Sequence, residues 1–339
     1  MPILTVGDRY QDVWIAGILA TLMGAANALF LSWIASLFDG RTVVEFLEAL
    51  GSSLLAKITG LIFVIFTMHV ASITLRDFGE LMVTSFYGET PLIVFLVVFA
   101  LLTAWSAYAG LEVIVRAAQF LIPLTVLGIL ISSTLTFRVD GLENFFPLLE
   151  KGISPVVRGG ITQWAFYGDV AIWFMLLPHL NRSVRHYLFM PLSVLLAGGL
   201  LVTVLLFIVI SLGARLAAIQ TYPFLLAVET VSVADFIERV EGGFLIVWVA
   251  ANFIKIVVFF YTAVFTMGKI LKLNDYRPLV LPLTVIMVSL SILLFENYDQ
   301  LRNFFRPEVY AAYVSIIQVF IPLMLIVVWL ARKKRGRAQ

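Results

Sequence analysis

Nine long apolar stretches, separated by short polar segments, run the length of the chain. They cover about 13–37, 56–75, 91–110, 117–136, 159–180, 187–212, 243–267, 278–295 and 310–331. A helix that crosses a bilayer needs about 20 mostly apolar residues, and each stretch approaches or exceeds that length. The apolar residues do not alternate with polar ones, so the pattern does not describe the strands of a membrane barrel. Backbone polar groups in lipid must be satisfied internally, which leaves an all-α polytopic membrane helix bundle of nine predicted spans. Segment 214–242 is less apolar and carries Tyr222-Pro223. It reads as a surface helix or a re-entrant piece between the sixth and seventh spans. No linker or low-complexity run divides the chain, so residues 1–339 are expected to form a single transmembrane domain.

Composition agrees with this pattern and narrows the function classes. Of 339 residues, 61% are hydrophobic and 13% charged. A soluble domain of this size needs roughly a quarter of its residues charged to clothe its surface. The net charge of +2 gives no reason to expect a nucleic-acid partner. With no cysteine, disulfides and thiolate metal sites are excluded, and with only three histidines a histidine-rich metal centre is not expected. Neither a metal-protease helix motif, a phosphate-cradling glycine loop nor a nucleophile elbow occurs, so neither an enzyme nor a cofactor is expected.

Basic residues orient the bundle. Arg332, Lys333, Lys334, Arg335 and Arg337 follow the last span directly and place the C-terminus in the cytoplasm. Counting back puts Arg41, Lys57, Arg116, Arg182, Arg185, Lys269, Lys272 and Arg277 on the same side. Arg9, Arg76, Arg138, Lys151, Arg158, Arg215, Arg239, Arg302 and Arg306 fall outside. The N-terminus is then external, although Met1–Asp12 has no features of a signal peptide.

Ionisable groups at membrane depth are costly, which makes each one a candidate site. Asp169 follows Gly168 about ten residues into the fifth span, within Trp164-Ala165-Phe166-Tyr167-Gly168-Asp169. A glycine there weakens the helix and lets backbone approach a ligand. Lys255 lies in the seventh span, three residues after Asn252. It could pair with Asp169 or Glu229, stand in for a coupling cation, or snorkel to the interface. His69 is alone in the second span and reads more readily as a satisfied core histidine. Glu112 and Arg116, four apart on one helix face, read as a structural ion pair at a helical hairpin. Glu238-Arg239-Val240-Glu241 reads as a solvated helix end.

Several stretches together resemble the B-subunit family of spore germinant receptors, the spore permeases of the amino acid–polyamine–organocation superfamily. They are Gln11-Asp12-Val13-Trp14, Leu75-Arg76-Asp77-Phe78, Thr90-Pro91, Gly110-Leu111-Glu112-Val113-Ile114-Val115-Arg116 and Phe146-Pro147-Leu148-Leu149-Glu150-Lys151-Gly152. Thr221-Tyr222-Pro223, Asp235-Phe236-Ile237-Glu238-Arg239-Val240-Glu241 and Asp275-Tyr276-Arg277-Pro278 continue the series in the family's order. The resemblance implies a ten-helix fold of two inverted five-helix repeats. Its ligand would lie between the broken first and sixth helices, with the third and eighth lining the site. It further implies assembly with A-type and C-type receptor subunits in the spore inner membrane or plasma membrane, and sensing of a small germinant such as an amino acid.

In the family a span precedes the Asp-x-Trp stretch, whereas only eleven residues precede Asp12 here. The nine spans then correspond to a ten-helix permease lacking its first helix, through a late start codon or a truncated copy. Phe166-Tyr167-Gly168-Asp169 resembles the family's Phe-Gly-Glu. His69 falls in the third-helix equivalent, and Asn252 and Lys255 in the eighth. Apolar walls at Trp164, Phe166, Phe253 and Val257 are expected to enclose the ligand. The same fold would serve a secondary amino-acid transporter, and fold alone does not separate the two.

Overall fold

The computed structural model describes residues 10–137, 139–150, 152–179, 186–230, 240–296 and 298–336. Arg9, Arg138, Lys151, Arg182, Arg185, Glu238, Arg239 and Arg337, and most of the stretch from Asp235 to Glu241, lie outside the described residues. In chain order the α-helices are α1 (Val13–Ala35), α2 (Val43–Ala49), α3 (Ser53–Leu81), α4 (Leu92–Ala109), α5 (Leu111–Leu135), α6 (Ser154–Phe166) and α7 (Trp173–Leu176). They continue with α8 (His186–Ile219), α9 (Pro223–Glu229), α10 (Val240–Ile270), α11 (Val280–Leu293), α12 (Tyr298–Phe304), α13 (Pro307–Ser315) and α14 (Ile321–Gly336). No strand occurs among the described residues.

Seven of the nine expected spans are helices long and apolar enough to cross a membrane. The eighth is the shorter apolar helix Arg277–Leu293. The fifth is not one helix. The α geometry of α6 ends at Phe166, a 3₁₀ segment covers Tyr167–Ile172, and α7 resumes for a single turn. Large apolar side chains such as Leu22, Trp105, Phe120, Leu196 and Val285 face outward, as lipid contact requires.

Pairing follows an exchange symmetry. Helix α1 packs along α8, α3 along α10 and α4 along α11. The crossed contacts α3 with α11 and α4 with α10 are both present. Two interlocked repeats of opposite direction produce this arrangement. Within segment 214–242, α9 packs on α8 and α10, with Pro223, Leu225, Ala227 and Val228 buried.

One end of the bundle is tied by polar contacts. Thr42 and Glu45 close a capping box at the start of α2. Glu45 also pairs with Lys269 at 2.6 Å, and Glu48 with Lys272 at 3.2 Å, joining α2 to the last turn of α10 and the residues just beyond it. Arg332 of α14 donates to the Gly51 carbonyl at 3.2 Å. The α4–α5 turn reverses at Gly110, whose φ of +101° suits a residue without a Cβ. Tyr276 Oη and Arg277 Nε hold that turn by donating to the carbonyls of Ala107 and Tyr108. The Glu112–Arg116 pair forms at 2.6 Å within α5 itself, with both side chains exposed.

Helix α3 corrects the expected boundary. The span read from the sequence stops at residue 75 because two charges follow. The helix continues through Arg76 and Asp77 to Leu81, and both charged residues are buried. Arg76 is satisfied there by Glu80 at 2.7 Å and by the Ser291 carbonyl at 3.2 Å. It therefore cannot count among the outside loop charges.

Candidate functional site: a chamber beside the broken helix

The broken segment is held on one side and free to carry charge on the other. Tyr167 lodges between α1 and α8. Its ring fills the space over Gly24, its hydroxyl lies over Gly198, and it shares a 3.0 Å hydrogen bond with the Thr21 hydroxyl. Small residues at helix contacts permit such close approach. Gly168 is packed rather than open to a ligand. A Cβ there would come within 2.1 Å of Val314 Cγ1 and 3.0 Å of Gln318 Oε1. Leaving α geometry turns the next residue, Asp169, toward α10, where its Oδ2 lies 2.9 Å from Lys255 Nζ. Of the alternatives for Lys255, the structure shows pairing with Asp169. Lys255 also sits 5.7 Å from the centre of the Phe259 ring.

Beside this pair is a chamber of about 50 Å³, lined by α3, the end of α6, α10, Phe305 and α13. Its walls include Thr74, Asp77, Phe166, Asn252, Lys255, Phe305, Tyr310 and Tyr313. Phe166 stacks on Phe305 at 5.5 Å and lies 4.7 Å from the Tyr310 ring. Helices α3 and α10 run antiparallel, since Gly60 near the start of α3 meets Ile270 at the end of α10. Asp77 from α3 and Lys255 from α10 both line the chamber.

A second cavity of about 280 Å³ lies between α5, α8, α9 and α10. Its lining is apolar, with Leu201, Val204, Ile208, Phe244 and Val247, and Trp248 beside them. Asn252 and Lys255 line both cavities and so stand between them. The Asn252 amide is anchored by donating to the Trp248 carbonyl at 2.9 Å.

The remaining sequence candidates are placed as follows. His69 Nδ1 and the Tyr313 hydroxyl share a 2.9 Å hydrogen bond, and the imidazole meets Phe304 edge-on at 5.2 Å. Trp164 is half-buried on α6. Phe253 packs edge-on against Phe99, and Val257 is fully buried. Phe166, Asn252 and Lys255 are thus brought together at the chamber with Asp169 adjacent, while Tyr167 and Gly168 face packing partners. Sequence reasoning missed Asp77, Tyr310, Tyr313 and Phe305. The Tyr310-x-x-Tyr313 spacing was the available signal for the two tyrosines, since it puts both rings on one helix face. Among the described residues no group of three His, Asp or Glu is placed to hold a metal ion.

The comparisons agree with this architecture. The crystal structure of MhsT in complex with L-phenylalanine matches with a TM-score of 0.61 at 15% identity, over 97% of this chain and 93% of that one. Spore germination protein KB of Bacillus subtilis is 29% identical over 96% of this chain and 88% of its own length. Spore germination protein XB of Bacillus anthracis is 25% identical over 96% and 90%. The spore permease model, described as spore germination protein, matches residues 1–299. With an apolar multi-pass bundle, interlocked repeats and a match over most of its length, the chain belongs to the spore permease family of spore germination proteins.

Proposed function

We propose that this chain is the B subunit of a germinant receptor and senses a small nutrient, in the first place an amino acid, inside its membrane bundle. The observation that carries this reading is the helix broken at Tyr167–Ile172, which sets the Asp169–Lys255 pair against two adjoining cavities. A ligand carboxylate competes with Asp169 for Lys255. The apolar cavity beyond Asn252 receives an uncharged body. Parting the ion pair favours a second arrangement of the broken segment, and binding signals only to the extent that the ligand prefers that arrangement. A-type and C-type receptor subunits are the partners that would read the change, in the spore inner membrane with the C-terminus in the cytoplasm.

The test is nutrient-triggered germination of spores carrying Asp169→Asn or Lys255→Met, with protein level checked by immunoblot. Both variants are expected to lose most of the response at a nutrient concentration that half-saturates the wild type. A wild-type response in both removes this site. Ion-driven uptake of labelled amino acid by proteoliposomes would instead support a secondary transporter.

A further inference from the structure

Asp169 is paired with Lys255, and the chamber beside them holds a second carboxylate, Asp77, that forms no ion pair within 4 Å among the described residues. Asp77 is 7% exposed, and its Oδ1 is buried without a hydrogen-bond partner among the described residues. The neighbouring cation, Arg76, is committed to Glu80 and the Ser291 carbonyl. A buried carboxylate oxygen without a hydrogen-bond donor is unfavourable, and a donor or a positive charge in the chamber would satisfy it. The walls argue for a positive charge. Phe166, Phe305, Tyr310 and Tyr313 surround the space beside Asp77, and aromatic faces attract cations through their quadrupoles. Thr74 donates its hydroxyl hydrogen to the Val70 carbonyl, which leaves its oxygen lone pairs for a donor in the chamber. A volume of about 50 Å³ has room for a water or a small ion.

We propose that Asp77 and the aromatic walls around it form a site for one monovalent cation of ammonium type. The inference rests on the reading of the chain as a nutrient sensor, and makes Asp77, not Asp169, the residue that receives a ligand's amino group. At formal charges, Asp77 and the adjacent Asp169 against Lys255 leave one negative charge, which a single small cation would balance. The same chemistry could be met by an alkali ion, and the probes below separate the two sources.

The purified full chain in nanodiscs is titrated with methylammonium, sodium or potassium chloride at an ionic strength held constant with choline chloride. Thermal unfolding and tryptophan fluorescence are followed. Methylammonium is expected to raise the melting temperature saturably. Asp77→Asn is expected to weaken its apparent affinity at least about tenfold, and Asp77→Glu to retain it. Stabilisation by sodium or potassium but not methylammonium, lost in Asp77→Asn, overturns the ammonium assignment and gives the site to an alkali ion. An equal response in wild type and Asp77→Asn overturns the proposal, as does the absence of any cation-specific response in the wild type. If Asp77→Asn does not fold, the wild type still decides by size. Methylammonium must then bind and tetramethylammonium must not; equal effects overturn the proposal. These readouts do not use spores, so they fail independently of the germination test.

Discussion

Helix α10 carries two lysines that each meet a carboxylate from another part of the chain, and the two meetings have different consequences. Lys269, in the last turn, pairs with Glu45 at the polar end of the bundle. Lys255 pairs with Asp169 about 21 Å back along the same helix axis, beside the broken segment. The first pair has a capping box, a second lysine–glutamate pair and water within reach. Losing one partner there leaves the other solvated. The second pair lies beside the Phe259 ring and is less exposed, at 28% and 23% against 35% for both partners of the first, so losing one partner leaves a less solvated charge. Identical chemistry is therefore a fastening in one place and a constraint in the other, and desolvation makes the difference.

The strongest test of this contrast is Lys255→Met, which strands Asp169. A loss on the order of 3 kcal/mol is expected, read as a large fall in melting temperature of the purified protein. Adding Asp169→Leu should recover most of that stability and none of the germination response. Additive losses in the double variant would show that the two residues are not coupled.

Next in size is Gly168→Leu, whose Cβ would press on Val314. Overpacking of about 1–3 kcal/mol is expected, with partial recovery on adding Val314→Ala. An unaffected melting temperature would mean that the segment is not held against α13.

At the polar end the effects should be smaller. Lys269→Ala is expected to cost at most about 1 kcal/mol, since both side chains of that pair are about a third exposed and solvent screens them. The loss should shrink further at high salt.

Glu45 makes the same end sensitive to acid. Burial raises its carboxyl, but hydrogen bonds from Lys269 and Thr42 and the lysine charge together hold it below its ordinary value of 4.5. A lowered folded-state value means the stabilisation is present above pH 4.5 and is lost as pH falls through the folded value. The melting difference between wild type and Glu45→Gln should therefore be greatest near neutrality and vanish in acid. A difference that grows in acid would reverse the assignment.

The smallest effect belongs to Glu112→Ala. A change of about 0.3 kcal/mol or less is expected, because the pair with Arg116 is exposed and lies within one helix.

Much of the fold was legible because lipid imposes a length and a polarity on each helix. The runs at 13–37, 91–110 and 243–267 emerge as α1, α4 and α10 with ends shifted by a few residues. The break in the fifth span was legible from Gly168 beside Asp169, since a glycine and an acid are both poor continuations of a helix in lipid. The site was legible only in part. Asp169 and Lys255 stood out as charges inside apolar runs. Asp77 did not, because it follows Arg76 and the two together look like the start of a loop. The helix continues there only because Glu80 and a carbonyl of α11 receive Arg76, and that contact spans more than two hundred residues. Tyr310 and Tyr313 likewise gain meaning only from Phe166 and His69 across the bundle.

Tyr167 is placed as a mechanical element. It stands two positions before Asp169 and is wedged between Gly24 and Gly198, with almost no clearance on either side. On the proposed reading, a ligand that draws Asp169 away from Lys255 would move the same short stretch of backbone beside that wedge. Helices α1 and α8 flank that wedge, and Leu22 and Leu196 on them face outward. On the proposed reading, a charge exchanged at the pair would reach the outer faces of these two helices through Tyr167, where a neighbouring protein could touch them.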